Sequence, residues 1–516
     1  MTQVLRRLAV CALLVGWLVS AGACVTVGPD FVQPDLPAND QWLEADADHF
    51  RPTPQGLKQW WRAFEDPVLD ELVELTHERN NNLKLAGLRV LEAQANLGIA
   101  SGSRYPQVQA ASGQALAIGI SDSDETTILD DVDFQKYSVG VGVSWEVDFW
   151  GRFRRGIESA DATLLASIAG YDEVFVLLTA SVTDVYVIIR TVEEQLAVTA
   201  ENLANQQRSY EIVKVLYENG ESSELDVIQA RTLLLSTQAA VPELETALRR
   251  AHNALSTLLG LPPSDLNSVL APGVLPELPD EILVGIPGET LRQRPDIRQA
   301  EMLARAQNAA VGLAQANLYP SFSIGGVLGL SSSTLSGGDG LGSLLDAASL
   351  TYSVGPSFVW PFFNYGRIKS GVRVQDARLQ QALINYRETA IQAAREVEDA
   401  MTAYSNALIQ GKILQESVEA ATRAAELSML RYKEGLADYQ RVLTAQQALF
   451  AQQARYVSNK GETVSSLIAV YRALGGGWQT RGRSFVDDES RQTMNERTDW
   501  GELLESPGSN SDSDPH

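Results

Sequence analysis

Two stretches of the chain alternate strictly between apolar and small or polar residues. In the first, Tyr137, Val139, Val141, Val143, Trp145 and Val147 alternate with Ser138, Gly140, Gly142, Ser144, Glu146 and Asp148. In the second, Leu350, Tyr352, Val354, Phe358 and Trp360 alternate with Thr351, Ser353, Gly355 and Ser357. A period of two sends the apolar side chains to one face of a strand and the small ones to the other. Each run follows another strand-like segment ("FSIGGVLGLS" in the second case), so hairpins are predicted over 107–147 and 321–360. The runs reach the roughly 9–11 residues that a tilted strand needs to cross a bilayer. A soluble, half-buried hairpin has the same period. Two features favour lipid: the polar face is Gly- and Ser-rich, as a lumen wall can be, and aromatics gather at one end. These are Trp145, Phe149 and Trp150 in the first copy and Trp360, Phe362, Phe363 and Tyr365 in the second, the pattern of an interface girdle.

Elsewhere the apolar period is that of a helix. Leu83, Leu88, Leu91 and Ala95 mark a helix over about 68–103, which Pro106 stops. No proline occurs from Phe149 to Val241, so a single helix is expected over 152–218, on the order of 100 Å long. A return helix follows over 223–259. In the second half a long helix over 366–434 is followed by a return helix over 438–474. Gly220 in "YENGESSELD" and Gly435 in "YKEGLADYQR" sit where each long helix ends and turns. Helices of this length call for coiled-coil packing.

The two halves share one text. "YSVGVGVSWEVDFWGR" from Tyr137 answers "YSVGPSFVWPFFNYGR" from Tyr352, a shift of 215 positions. The shift also aligns Arg152 with Arg367, Asp161 with Asp376, Arg208 with Arg423, Tyr217 with Tyr432, Gly220 with Gly435, Val227 with Val442 and Gln238 with Gln453. The chain is therefore read as an internal tandem duplication: a first repeat over 68–260, a Pro-rich linker over 261–288 and a second repeat over 289–475.

The N-terminus reads as an export signal over 1–23: Arg6 and Arg7, the apolar run "LAVCALLVGWLV", then "SAGAC". Gly22 and Ala23 suit a lipobox that would acylate Cys24, with Ala21 standing where leucine is commonest; a generic signal-peptidase site is the alternative. Residues 24–67 are then a lipid-anchored, extended segment. Beyond it no run of about 18 consecutive apolar residues occurs, so any membrane crossing falls to strands. A formal net charge of −24 (41 Lys and Arg against 65 Asp and Glu) excludes nucleic acid as a partner. The tail over 476–516 is acidic and reads as disordered.

Catalytic chemistry is not evident. The four histidines have no metal-ligand spacing, the two cysteines (Cys11 and Cys24) form no framework, and no phosphate loop is present. "SGGDGLGS" at 336–343 lies between strands and reads as a flexible extracellular loop. No enzyme activity, cofactor or metal is expected.

Four strands cannot close a barrel, and an open edge in lipid costs several kcal/mol for each unsatisfied backbone group. Two chains would give eight strands with a filled interior; three would give twelve and a lumen, which the small inward residues favour. The order helix, hairpin, long helix, turn, helix, given twice, resembles the TolC family of outer membrane factors. "CVTVGPDFVQPDLP", "QWWRAFEDPVLDELV", "LRQRPDIRQAE", "ANLYPSFSIGG" and "VGPSFVWPFFNYGR" resemble its OprM-like lipoprotein branch. The resemblance implies an α+β membrane protein: a homotrimeric, 12-stranded outer-membrane β-barrel with four strands per chain, continued by a long α-helical periplasmic barrel. It implies an exit duct in the bacterial outer membrane that passes drugs or other solutes. Its partners would be outer-membrane lipid, a periplasmic adaptor (membrane fusion) protein and an inner-membrane efflux pump. The competing reading is a lipid-anchored periplasmic helical scaffold without a pore.

For such a duct the aperture is expected at the helix turns, where Glu221, Glu224 and Asp226 lie in the first copy and Asp438, Gln440, Arg441 and Thr444 in the second. The resemblance implies a leucine layer and, one turn on, an aspartate ring. Carried onto "DYQRVLTAQQ", those positions hold Gln440 and Thr444. A polar constriction, with acids from the first copy and an Arg441–Asp226 latch across neighbouring tips, is the expectation here; simple capping of the turns by these residues is the alternative.

Overall fold

The computed structural model describes residues 26–44, 50–52, 58–120, 132–266, 270, 273–279, 282–285, 287–336, 339–482 and 484–504. The signal segment, Cys24, the tip of the first hairpin and the end of the tail lie outside the described residues. In chain order the elements are β1 (Phe50–Pro52), α1 (Pro67–Arg79), α2 (Asn81–Gly102), β2 (Val108–Ile120), β3 (Val132–Val147), α3 (Arg152–Glu218) and α4 (Glu224–Leu258). Then come β4 (Ile282–Val284), α5 (Pro287–Gln293), α6 (Pro295–Ala316), β5 (Ser321–Ser333), β6 (Leu350–Val359), α7 (Arg367–Lys433), α8 (Tyr439–Ala473) and α9 (Asp488–Arg497). The long helices α3 and α7 both have 67 residues and the return helices α4 and α8 both have 35, so the duplication is kept in three dimensions. The chain divides into two compact units, residues 1–34, 92–166 and 300–385 in one and residues 35–91, 167–299 and 386–516 in the other.

The first unit holds one antiparallel sheet in the order β2-β3-β5-β6. Its register carries the period-two pattern across strands. Val141 opposes Ala111 on one side and Leu328 on the other, and Leu328 opposes Tyr352. Val143, Trp145 and Val147 share that face with Ile324, Phe322, Val354 and Phe358, because residues directly opposite in a ladder point the same way. The other face carries Gly140 against Gly329 and Thr351, then Ser144 against Gly325 and Gly355. A Cβ on Gly140 would lie 2.9 Å from the Leu328 carbonyl oxygen and 3.0 Å from the Gly329 Cα, so only glycine permits that approach. The apolar face is open: Val141, Leu328, Tyr352, Val354 and Phe358 are all exposed in the single chain. Among the described residues none covers it, which is the condition of a lipid-facing wall.

The second unit is helical, with a short parallel pairing of β1 and β4. Trp60 is buried and stacks on Tyr471 at 5.1 Å, and the His77 ring stacks on Phe175 at 3.9 Å. An 18-residue window of α3 is apolar enough to cross a membrane, but 61% of it is buried, as in a core helix. The tips are built alike. Gly220 (φ 80°) and Gly435 (φ 72°) adopt the left-handed conformation, and bonds from Glu221 N to Leu216 O and from Leu436 N to Arg431 O (both 2.8 Å) close the same helix-ending motif.

Four expectations are corrected. The helix over 68–103 is two helices, broken at Asn80, whose carboxamide oxygen caps α2 through Asn82 N at 2.8 Å while its amide donates to Leu258 O. The segment over 24–67 is not wholly extended, since Trp60–Phe64 form a 3-10 turn whose aromatics are buried. The loop around 336–343 is folded where described: Ser332 and Ser343 hydroxyls meet at 2.6 Å, and Ser349 Oγ donates to Ser343 O. The tail is folded where described, over 476–482 and 484–504. Val486 and Leu504 bury against Leu91, with Met494 and Trp500 beside them, so scattered apolar residues outweigh the acidic composition. Asp487 caps α9 through Ser490 N at 3.1 Å.

Candidate functional site

Within the second unit α3 and α8 run together through a ladder of polar side chains. Asp184 accepts from Ser465 Oγ (2.7 Å), Glu194 pairs with Lys460 (2.7 Å), Gln195 donates to Ser458 (2.9 Å), Asn202 to Gln453 (2.6 Å), and Gln446 to Ser209 (2.6 Å). The ladder ends at a small apolar core of Val213, Ala230, Leu233, Tyr432, Tyr439, Val442 and Leu443. The Tyr432 and Tyr439 rings meet edge to face at 5.2 Å, and Tyr432 shares a hydrogen bond with Ser222 at 3.0 Å. Burial pushes both phenols up, so they stay neutral.

The helical period divides the start of α8 in two. Tyr439, Val442 and Leu443 are buried, whereas Gln440 and Thr444 are exposed one turn apart on the opposite side. Thr444 Oγ1 donates to the Gln440 carbonyl (2.9 Å), and the Gln440 side chain accepts from Gln229 on α4 (3.2 Å). Asp438 is the N-cap residue of α8 but makes no side-chain cap bond. Asp226 is committed locally: its backbone N–H donates to Ser223 Oγ, and its carboxylate accepts from Ser223 N and Ser222 Oγ. Arg441 is exposed and forms no ion pair with Asp226 within the single chain. Glu221 and Glu224 are exposed. A cleft of about 670 Å³ opens between the tips, with Glu221, Leu225, Gln229 and Gln440 among its walls.

In the first unit the aromatics seen in the sequence fall into two groups. Trp145 Nε1 donates to Arg104 O and Trp360 Nε1 to Leu318 O, both at 3.1 Å, the same contact in each repeat. Trp150 stacks on Tyr319 at 4.6 Å and donates to Pro320 O, and Phe149 packs on Phe322. Phe362 (75% exposed), Phe363 (74%) and Tyr365 (93%) stand open in the single chain, Phe362 against Trp360 at 6.1 Å and Phe363 against Tyr365 at 5.1 Å.

Sequence reasoning missed one lock. Arg155 is 3% exposed, and its guanidinium donates to Val27 O, Gly28 O, Asp30 and Glu158. Val27 N donates to Trp150 O (3.0 Å), and a Cβ on Gly28 would fall 2.4 Å from Gly312 Cα. The start of the described chain is thereby fixed beside Trp150. Among the described residues no group of His, Cys, Asp and Glu is placed to hold a metal ion.

The outer membrane efflux protein family matches residues 72–261 and 286–476. The pyoverdine export outer membrane protein OpmQ of Pseudomonas putida is 31% identical over 89% of this chain and 95% of its own length. The cation efflux system protein CusC of Escherichia coli is 29% identical over 91% of this chain and 99% of its own. Among solved structures, the outer-membrane channel OprN superposes with a TM-score of 0.83 at 32% identity, covering 88% of this chain and 99% of that one.

Proposed function

The chain belongs to the outer membrane efflux protein family, and from that premise we propose how its own residues anchor the duct and close it. It is an outer-membrane efflux channel of a tripartite system, a homotrimer whose twelve-stranded barrel continues into a helical periplasmic tunnel. A periplasmic adaptor and an inner-membrane pump complete the system. The observation that carries this for the present chain is the sheet, with its exposed apolar face in register across four strands and its face of Gly, Ser and Thr. Its role is conduction; transport without catalysis is the finer reading, supported by the lack of any catalytic motif.

Three further assignments complete the reading. Cys24 is the acylated residue; its support is Val27, three positions on, held to Trp150 at the girdle. Trp145, Phe149, Trp150, Trp360, Phe362, Phe363 and Tyr365 form the periplasmic-side membrane interface. The aperture is a polar ring in which three copies each of Gln440 and Thr444 line the constriction, with Glu221 and Glu224 making its rim acidic. Their exposure on one face of α8, above the buried Val442 and Leu443, supports it. A polar ring holds water where a leucine ring would shed it, so closure rests on narrowing. Relatives named for pyoverdine, cation and solvent efflux are alike 29–32% identical to this chain, which favours cargo selection by the pump.

The mass of the detergent-purified Cys24→Ser protein tests the channel. A trimer that precipitates on detergent removal is expected, whereas a monomer soluble without detergent would support the poreless scaffold. For the aperture, Gln440→Leu with Thr444→Asp is expected to change leak conductance in planar bilayers. Unchanged conductance and unchanged drug sensitivity would leave these residues as mere supports of the turn.

A further inference from the structure

We infer that the seam between neighbouring chains copies the seam between the two repeats, which fixes its register and pairs β6 of one chain with β2 of the next. The inference rests on the trimeric channel reading and adds which residues meet. Two edges are open: β2 and β6 are the outer strands of the sheet, and every residue of β6 is exposed. Neither strand holds a single charged residue. Edges of soluble sheets carry charges or cover to prevent pairing, and these carry neither. The template lies inside the chain, where β3 of the first repeat pairs with β5 of the second.

Repeat equivalence supplies the register. Trp145 and Trp360 superpose by their shared bonds to Arg104 O and Leu318 O. In the hairpins Val108 opposes Ser144 while Ser321 opposes Val359, so Val108 corresponds to Ser321, although Pro106 corresponds to Pro320. The first repeat thus has one additional residue, Gln107. Its carboxamide accepts from Glu146 N (2.7 Å) and donates to Glu146 O (3.2 Å), taking the place of a peptide group in the ladder. An alignment that ignored Gln107 would turn every side chain of β2 to the wrong face.

With that residue accounted for, the Val143–Gly326 pair becomes Phe358 against the partner's Gly113. Trp145–Ile324 becomes Trp360 against the partner's Ala111, and Val139–Leu330 becomes Val354 against the partner's Ala117. On the lumen face Gly142–Val327 becomes Ser357 against the partner's Gln114. Backbone pairing alone set this register, yet the side chains complement one another. The outward face of β6 presents Tyr352, Val354, Phe358 and Trp360, and the outward face of β2 presents only small residues from Ala111 to Gly119. Below the strands the same operation takes Trp150 on Tyr319 into Tyr365, 93% exposed, on the partner's Tyr105, itself 68% exposed.

The experiment is disulfide trapping in the full-length Cys24→Ser background, with Ser357→Cys/Gln114→Cys for the lumen face and Phe358→Cys/Gly113→Cys for the outer face. A Cβ at Gly113 meets nothing closer than 3.9 Å, so the sheet tolerates it. Directly opposed residues lie about 5 Å apart at Cβ, and a slip of two moves a partner out to about 7–8 Å. After mild oxidation, covalent dimers and trimers from at least one of these pairs are expected. Slip controls, Ser357→Cys/Ser112→Cys and Phe358→Cys/Ala111→Cys, should remain at least tenfold less linked. Greater linkage in a slip control, or none in a protein that is trimeric by mass, overturns the register and leaves the channel standing. No linkage in a protein that is monomeric by mass overturns the channel reading itself.

Discussion

Replacing Asp172 with asparagine should loosen the C-terminal strap without opening the barrel. The Asp172 carboxylate is fully buried on α3 and pairs with Arg298 at 3.3 Å and with Arg481. Arg481 lies over the Phe485 ring at 5.4 Å, and Phe485 meets Tyr171 edge to face at 5.2 Å. The next turn is pinned by Lys84–Asp487 at 3.6 Å. Removing one partner of a buried pair costs about 3–5 kcal/mol. Here the two guanidiniums keep 34% and 24% of their side-chain surface, so water takes over part of the load and about 2–3 kcal/mol is expected. At 1.36 kcal/mol per decade, that is roughly a 30- to 150-fold rise in local opening. Hydrogen exchange of the detergent-solubilised trimer, read by mass spectrometry over 478–504, reports it directly. Exchange there should accelerate by one to two decades while the peptides of β3 and β5 are unchanged. Acceleration of less than threefold in the strap would show that the charge pair does not hold it. Equal acceleration in the strands would show that Asp172 supports the whole fold instead.

Two other perturbations bear on separate parts of the structure. Burial pushes the His77 imidazole down to about 4, and its Nε2 bonds Thr179 Oγ1 at 2.8 Å. Above pH 6.5 it is neutral whether folded or unfolded and contributes no pH dependence. As pH falls from 6.5 towards 4 the unfolded chain takes up a proton that the folded one refuses, so about 3 kcal/mol of stability is lost across that window. Thermal midpoints of wild type and His77→Gln should diverge through that range and run parallel above pH 7; parallel curves throughout would contradict it. In the sheet, Gly140→Ala forces a Cβ to within 3.0 Å of the facing strand and should cost about 1–3 kcal/mol, seen as a lower dissociation temperature of the trimer. Gly142→Ala, whose Cβ would meet nothing closer than Val327 Cγ2 at 3.8 Å, is the matched control and should be near neutral.

Much of the architecture was legible because its signals are periodic. Val139, Val141, Val143 and Trp145 announce a strand by themselves, and Gly220 and Gly435 announce where a helix must turn, because each mark is local. The contacts that position the ends of the chain are not local. Arg481 finds Asp172 from 309 residues away, and Arg155 reaches Asp30 across 125. The tail was misread because its acids set the composition, while Phe485, Val486, Trp500 and Leu504, too sparse to form a period, set the packing. Gln107 is subtler still: a one-residue insertion leaves the text of the repeat intact and changes only which peptide faces which. At the proposed aperture the sequence named Gln440 and Thr444, but their exposure follows from Tyr439 and Val442 turning inward, which depends on Tyr432 in the other half of the hairpin.

The open sides of β2 and β6 also bear on how the duct is made. Half of the seams in the finished ring, those between β3 and β5, form within one chain as it folds, at a local concentration set by the connecting polypeptide. The other half wait for two further chains. Until those arrive each subunit offers two uncharged strand edges and an apolar wall, a state that lipid penalises at every bare amide and that water penalises along the whole face. Neither phase is a resting place for a lone subunit. Meeting of the chains and entry into the bilayer are therefore coupled events, and the rate of channel appearance should rise more steeply than linearly with the supply of new chains.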